Sequence, residues 1–224
     1  MEEGGLLINI PGVPFYVTYS WVAMIILIVF ALLVRKSLKL VPSGAQNFFE
    51  TIIEALYNLC VENIGHGWAR RHFPLIATLG LYILLCNFLG MIPGFATPTA
   101  NINTTASCAI PVFFATHYYG LIVHKHKYVN HFLGPIRSVF SIPLIILMFF
   151  VEVIGHLARP LTLSVRLFGN MVSHELLIAV LMGLVPAFIP IVVLGLGVLV
   201  NIVQAFVFVL LSTLYLAGAV EEAH

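Results

Sequence analysis

The sequence predicts an all-α integral membrane protein: about five membrane crossings, one surface amphipathic helix, and a last pair of helices that are long and tilted. Three observations carry this. Hydrophobic residues make up 61% of the 224 residues and charged residues only 8%, against about 25% charged in a soluble domain. Mean hydropathy is +1.07, and runs of the roughly 20 apolar residues that a crossing needs recur along the chain. The basic residues gather between those runs: eight of the ten Lys and Arg lie in 35–71 and 125–137. With so little charge a water-facing surface would not stay soluble, whereas a lipid-facing one needs none.

The whole of 1–224 reads as a single membrane domain. The first crossing is 15–34, ended by the basic stop Arg35-Lys36-Ser37-Leu38-Lys39. Residues 43–65 interleave Gln46, Asn47, Glu50, Glu54, Asn58 and Glu62 with Phe48, Phe49, Ile52, Ile53, Leu56 and Leu59 at helical period. That pattern predicts an amphipathic helix on the membrane surface, with packing against a soluble partner as the alternative. A hairpin of two crossings follows, 73–93 and 106–123, split by Pro93-Gly94 and a polar, uncharged stretch over 94–106. Next comes a wet loop, His124 to Arg137. The apolar lengths 138–182 and 187–220 flank a break at Leu184–Pro190. Each exceeds one perpendicular span, so two long tilted helices are expected; four ordinary crossings are the alternative.

The positive-inside rule places 35–71 and 125–137 in the cytoplasm, which with five crossings puts the N-terminus outside and the Glu221-Glu222 tail inside. Met1-Glu2-Glu3 lacks a basic n-region, so no cleaved signal peptide is expected. The net charge of +1 argues against nucleic-acid binding. Cys60, Cys86 and Cys108 are isolated, so neither a disulfide framework nor a metal site is indicated. There is no transporter-type internal repeat.

Only four formally charged residues lie in 138–220: Glu152, Arg159, Arg166 and Glu175. Each costs about 2.5–3.5 kcal/mol at mid-helix on insertion scales, so each reads as facing a partner or an aqueous path; a structural ion pair is the competing reading. At 100° per residue, Glu152, His156, Arg159, Arg166, Asn170, Ser173 and His174 share an arc of roughly 100°, a stripe about 33 Å long. Gly155 and Pro160 are candidate kinks in it. Glu175 points away from Arg166 and should face another helix of the same chain. The last long helix carries Asn201, Gln204, Ser212 and Tyr215 on one side, either as a functional stripe or as packing glue. Arginine does not release its proton in a protein, so Arg166 reads as a fixed charge. Glu175, His174 and Glu152 are the candidate relays.

Other motifs fail. His174-Glu175 begins HExxH, but position 178 is Ile, so no zinc-protease site is expected. His117 and His131 as a haem pair would have a charged loop between them. Without a Gly-rich phosphate loop the chain is not expected to bind nucleotide, and no cofactor is expected.

The run Arg159-Pro160-Leu161-Thr162-Leu163-Ser164-Val165-Arg166-Leu167-Phe168-Gly169-Asn170-Met171 resembles the signature of subunit a of F-type ATP synthases. So do Gln204-Ala205-Phe206-Val207-Phe208 before Leu214-Tyr215-Leu216, the block Asn87-Phe88-Leu89-Gly90-Met91-Ile92-Pro93, and Pro98 with Asn101-Ile102-Asn103-Thr104-Thr105. The resemblance covers nearly the whole chain in order, and the short N-terminus suits a bacterial or chloroplast-type member. It implies a non-catalytic membrane stator beside a rotating ring of c subunits, with b subunits of the peripheral stalk and the F1 sector in the same complex, and two offset proton half-channels. It also implies that Arg166 faces the ring carboxylate, that Asn170 and Gln204 are its polar neighbours, that Glu175 is a half-channel acid, and that Glu152 is an acid on the cytoplasmic side. In some bacterial relatives a glycine precedes the half-channel acid and a histidine sits seven residues before the glutamine. Here those positions hold His174 and Gly197, so His174 is expected to act from the opposite helix. A stand-alone ion channel or antiporter and a purely structural scaffold are the competing functions.

Overall fold

Six α-helices and one short 3₁₀ turn, with no strand, make up the described residues, and five of the helices are long and apolar enough to cross a membrane. The computed structural model describes residues 10–37, 45–92, 95–124, 142–184 and 189–220. Met1-Glu2-Glu3, Lys39, the Pro93-Gly94 break, the basic loop 125–137, the middle of the 184–190 break and the Glu221-Glu222 tail lie outside them.

Helix α1 (Phe15–Ser37) ends on Arg35 and Lys36, where cations complement the exposed carbonyls of a helix C-terminus. Helix α2 (Ala45–Ile64) buries Cys60 and Ile64, while Phe49 and Ile53 stay exposed. One residue, Gly65, separates it from α3 (His66–Leu89); its φ of 81° lies in the region glycine adopts without strain. The α3 helix therefore begins seven residues before the apolar run at Phe73. Hydropathy locates the lipid-compatible part of a helix, but the backbone goes on through polar residues until something breaks it, and here that is Gly65.

The segment expected as a polar connection after α3 folds inward. Ala96, Thr97 and Thr99 are 1%, 4% and 0% exposed, and Pro98–Ala100 form the 3₁₀ turn. Thr99 Oγ1 donates to Asn87 Oδ1 at 2.7 Å, and the Thr97 hydroxyl occupies the space a Cβ at Gly90 would need. Helix α4 (Ile102–His124) starts four residues before the expected 106. Asn101 Oδ1 accepts the Asn103 backbone N–H at 2.9 Å, which supplies an N-cap.

The long helices are α5 (Ile142–Leu184, 43 residues) and α6 (Ile189–Val220, 32 residues). At 1.5 Å per residue α5 is about 65 Å long, against a hydrocarbon core of about 30 Å. It runs unbroken through Gly155 and Pro160. Helix α6 packs on α2, α3, α4 and α5, whereas α1 lies at the edge against α3. One core joins Ile83 of α3, Cys108 and Val112 of α4, Leu163 and Leu167 of α5, and Ala205 and Phe208 of α6. A second joins Cys60 and Ile64 of α2, Ile76 of α3, and Val209, Leu216 and Val220 of α6.

Candidate functional site

Helices α5 and α6 run antiparallel and meet in polar rungs. The Arg159 guanidinium lies over the Tyr215 ring, 5.5 Å from its centroid. Three turns on, Asn170 Nδ2 donates to Gln204 Oε1 at 2.5 Å. One turn further, the His174 imidazole fills the space that a Cβ on Gly197 would take. The separate polar stripes of α5 and α6 therefore join into one seam. They take different positions within it: Asn201, Gln204 and Ser212 are 1%, 4% and 1% exposed in the core, whereas Arg166 and Asn170 lie at the open rim.

The position of Arg166 follows from helix geometry. Leu163, Leu167 and Met171 form the buried face of α5, at 2%, 0% and 2% exposure. Residue 166 is turned about 100° from residue 167 and is exposed. Around it Leu161 and Val165 are also exposed, at 62% and 47%. No carboxylate of the described residues lies within ion-pair distance of the guanidinium; further toward the α5 N-terminus, His156 pairs with Glu152. A permanent cation thus stands on an apolar, membrane-spanning surface with no counter-charge from the described residues beside it. Such a group needs an acceptor supplied from outside.

Titratable groups lie at both ends. Toward the α5 C-terminus, the half-buried Glu175 carboxyl meets both the hydroxyl and the backbone of Thr97. It faces the inward-folded segment before the 3₁₀ turn, not another helix as the azimuth alone suggested. Near it, Asn201 Nδ2 donates to the Asn87 carbonyl at 3.1 Å. Asn87 Nδ2, Asn201 Oδ1 and His174 Nε2 are buried with no hydrogen-bond partner among the described residues, and orphaned polar atoms of that kind suit ordered water. Toward the α5 N-terminus, Glu152 Oε1 lies 3.2 Å from His156 Nε2, and the His156 ring stacks edge-on with His117 of α4 at 5.1 Å. Glu175 is nine residues beyond Arg166 and Glu152 fourteen before it, about 13 Å and 21 Å along the axis.

The family model of the ATP synthase A chain matches residues 17–217. The chain belongs to the ATP synthase A chain family. It is 50% identical to ATP synthase subunit a 1 of Pelobacter propionicus over 209 residues, 93% of this chain and 88% of that protein. It is likewise 50% identical to ATP synthase subunit a of Trichlorobacter lovleyi over 209 residues, with the same coverage. Against the Geobacter sulfurreducens protein of the same name it is 48% identical over 208 residues, 93% and 88% of the two chains. Within this family the chain is a multi-pass, all-helical membrane protein.

Of the residues singled out from sequence, the fold brings Asn170 together with Gln204, and His174 against Gly197. It keeps Glu152 and Glu175 apart on either side of Arg166. Sequence reasoning missed Thr97, Thr99 and Asn87 as side chains converging near Glu175, because a polar uncharged stretch reads as a connection. It weighed His117 only as half of a haem pair with His131, whereas the fold sets that ring against His156 on a distant stretch of chain. The Asn87 block and the Asn101–Thr105 block were the available signal for the first group.

Proposed function

We propose that this chain is the non-catalytic, proton-conducting stator subunit of the membrane sector of an ATP synthase. One observation carries the reading: Arg166 stands exposed on a membrane-spanning face with no acid among the described residues to pair with. Its counter-charge is a carboxylate on each c subunit of the rotating ring, which passes this face in turn. The b subunits of the peripheral stalk hold the chain against rotation, and the F1 sector uses the torque. The membrane is the bacterial inner or plasma membrane, with the N-terminus outside and the C-terminus in the cytoplasm.

Arg166 cannot relay protons, since its guanidinium stays charged. A positive charge within about 4–6 Å of a carboxylate favours the ionised form, so a ring carboxylate arriving at Arg166 gives up its proton. The same charge repels protons that would pass straight between the half-channels. Glu175 and His174 serve the outer path, among the orphaned polar atoms of Asn87 and Asn201; Glu152 serves the inner path. Asn170 and Gln204, bonded to each other, set the seam beside the arginine. Each proton crossing yields about 2.3 kcal/mol per 100 mV, so several crossings are coupled through rotation to each ATP.

The test is Arg166→Ala in membrane vesicles. The complex is expected to assemble and to lose both respiration-driven ATP synthesis and ATP-driven proton pumping. Normal coupled activity in the assembled mutant refutes the reading. Affinity purification of the chain should also bring down a c-ring and a soluble ATPase head, which a stand-alone channel or antiporter would not do.

A further inference from the structure

Two histidines between α4 and α5, His156 and His117, lie away from Arg166 and have no part in the path drawn above, although their neighbour Glu152 does. Glu152 sits at the open rim of α5 with its side chain 35% exposed, and the His156 side chain, 10% exposed, lies 3.2 Å behind it. Behind His156 is the His117 ring of α4, at 5.1 Å. The two rings, with Thr116, Arg159 and Tyr215, border a cavity of ≈ 10 Å³, about the room one water needs. His117 Nδ1 lies 2.9 Å from the Phe113 carbonyl. A carbonyl only accepts, so Nδ1 carries the hydrogen and Nε2 is the nitrogen that takes up and releases a proton.

We propose that Glu152, His156 and His117 form a three-member proton relay that carries protons from the open face of α5 into the chain, toward the α4 side. This rests on the proton-conducting reading above, which already uses Glu152, and adds His156 and His117 to it. A proton taken by Glu152 passes to His156 Nε2. The imidazolium so formed releases its other proton, at Nδ1, to a water in the cavity, and that water hands one to His117 Nε2. Among the described residues, the charged and titratable groups facing the pair are Glu152 and Arg159 from α5, His117 from α4 and Tyr215 from α6. Arg159, held against the Tyr215 ring, keeps a fixed positive charge beside His156, so a second proton on the histidine pair is opposed. The cluster then holds one proton at a time, as a relay requires. His117 is seven residues from the end of α4 and Glu152 ten from the start of α5, about 10 Å and 15 Å in from the side on which 125–137 joins the two helices. The relay therefore belongs to the half of the membrane assigned to the cytoplasm.

The experiment measures passive proton conductance of F1-stripped vesicles carrying the intact membrane sector between about pH 5 and 8, where histidine titrates. His156→Gln and His117→Gln are each expected to lower conductance on the order of a hundredfold, the scale of a positioned proton-transfer group, and to flatten its pH dependence over that range. Added imidazole should restore flux to His156→Ala. Wild-type conductance and pH profile in either assembled Gln variant overturn the relay, as does failure of imidazole to restore flux to an assembled Ala variant. If His156 variants do not assemble, His117→Gln and imidazole rescue of His117→Ala carry the same expectation and the same refutation. Arg166→Ala run alongside separates the two ideas. If it abolishes coupling while the histidine variants behave as wild type, the relay falls and the stator reading stands; if it has no effect, the stator reading itself falls.

Discussion

Arg166 and Leu167 are adjacent in sequence and differ completely in surroundings: one is exposed at the membrane face and the other fully buried. A step of about 100° around the helix separates them, and neighbouring helices cover only one of the two directions. Residue-scale predictions follow from the seam beside them. Asn170 and Gln204 share a hydrogen bond across α5 and α6, so a double-mutant cycle of Asn170→Ala with Gln204→Ala should give a coupling of roughly 0.6 kcal/mol, the average for polar pairs in membranes. Thermal denaturation in detergent reads it, and a coupling of zero would mean that the bond contributes nothing. His174 occupies the space over Gly197. His174→Gly should depress proton pumping in vesicles, and adding Gly197→His should recover part of it by returning an imidazole to the same gap. Normal flux in His174→Gly would remove histidine from the path.

At the scale of helices, α3 and α6 approach closely because Gly80 has no side chain. A Cβ there would collide with the Val209 side chain. Valine in a helix keeps essentially one χ1 rotamer, so it cannot swing aside and the helices must part. Gly80→Ala should therefore destabilise the chain by about 1–3 kcal/mol, the range for overpacking, and Val209→Ala in the same chain should recover much of the loss. Protease resistance in detergent measures both. The same close approach keeps Asn201 and Gln204 of α6 buried in the centre of the molecule, where a single span facing lipid could not carry them.

For the molecule as a whole, three cysteines sample three different junctions. Cys60 of α2 lies 3.8 Å from the Thr213 hydroxyl of α6, and Cys86 and Cys108 are buried on α3 and α4. Burial pushes the Cys60 thiol up from its ordinary range, so it stays protonated at pH values where an exposed thiol ionises. Alkylation needs the thiolate. In intact membranes at neutral pH none of the three should react with a water-soluble maleimide, and all three should react after denaturation in SDS. Rapid labelling of Cys60 in the native state would mean that α2 does not pack against α6 as described. The basic residues, the long apolar runs and the Arg159–Met171 block made the all-helical membrane architecture and the family legible in the sequence, since hydropathy and charge act locally. The inward fold of 95–101 was not legible, because Thr97 and Thr99 are as compatible with a wet loop as with a buried turn until Asn87 and Gly90 supply their partners.

By itself the sequence determined that this chain crosses the membrane repeatedly as helices, and that Arg166 shares one side of a long helix with Glu152, Asn170 and His174. Residue spacing sets the angles within a helix without reference to anything else. Only the tertiary structure decided which of those residues are covered and which stay open. It put Gln204 against Asn170, Gly197 under His174, Thr97 on Glu175 and His117 against His156, and left Arg166 facing outward. Each of those outcomes depends on which side of a helix its neighbour occupies, and the periodicity of one helix carries no information about that.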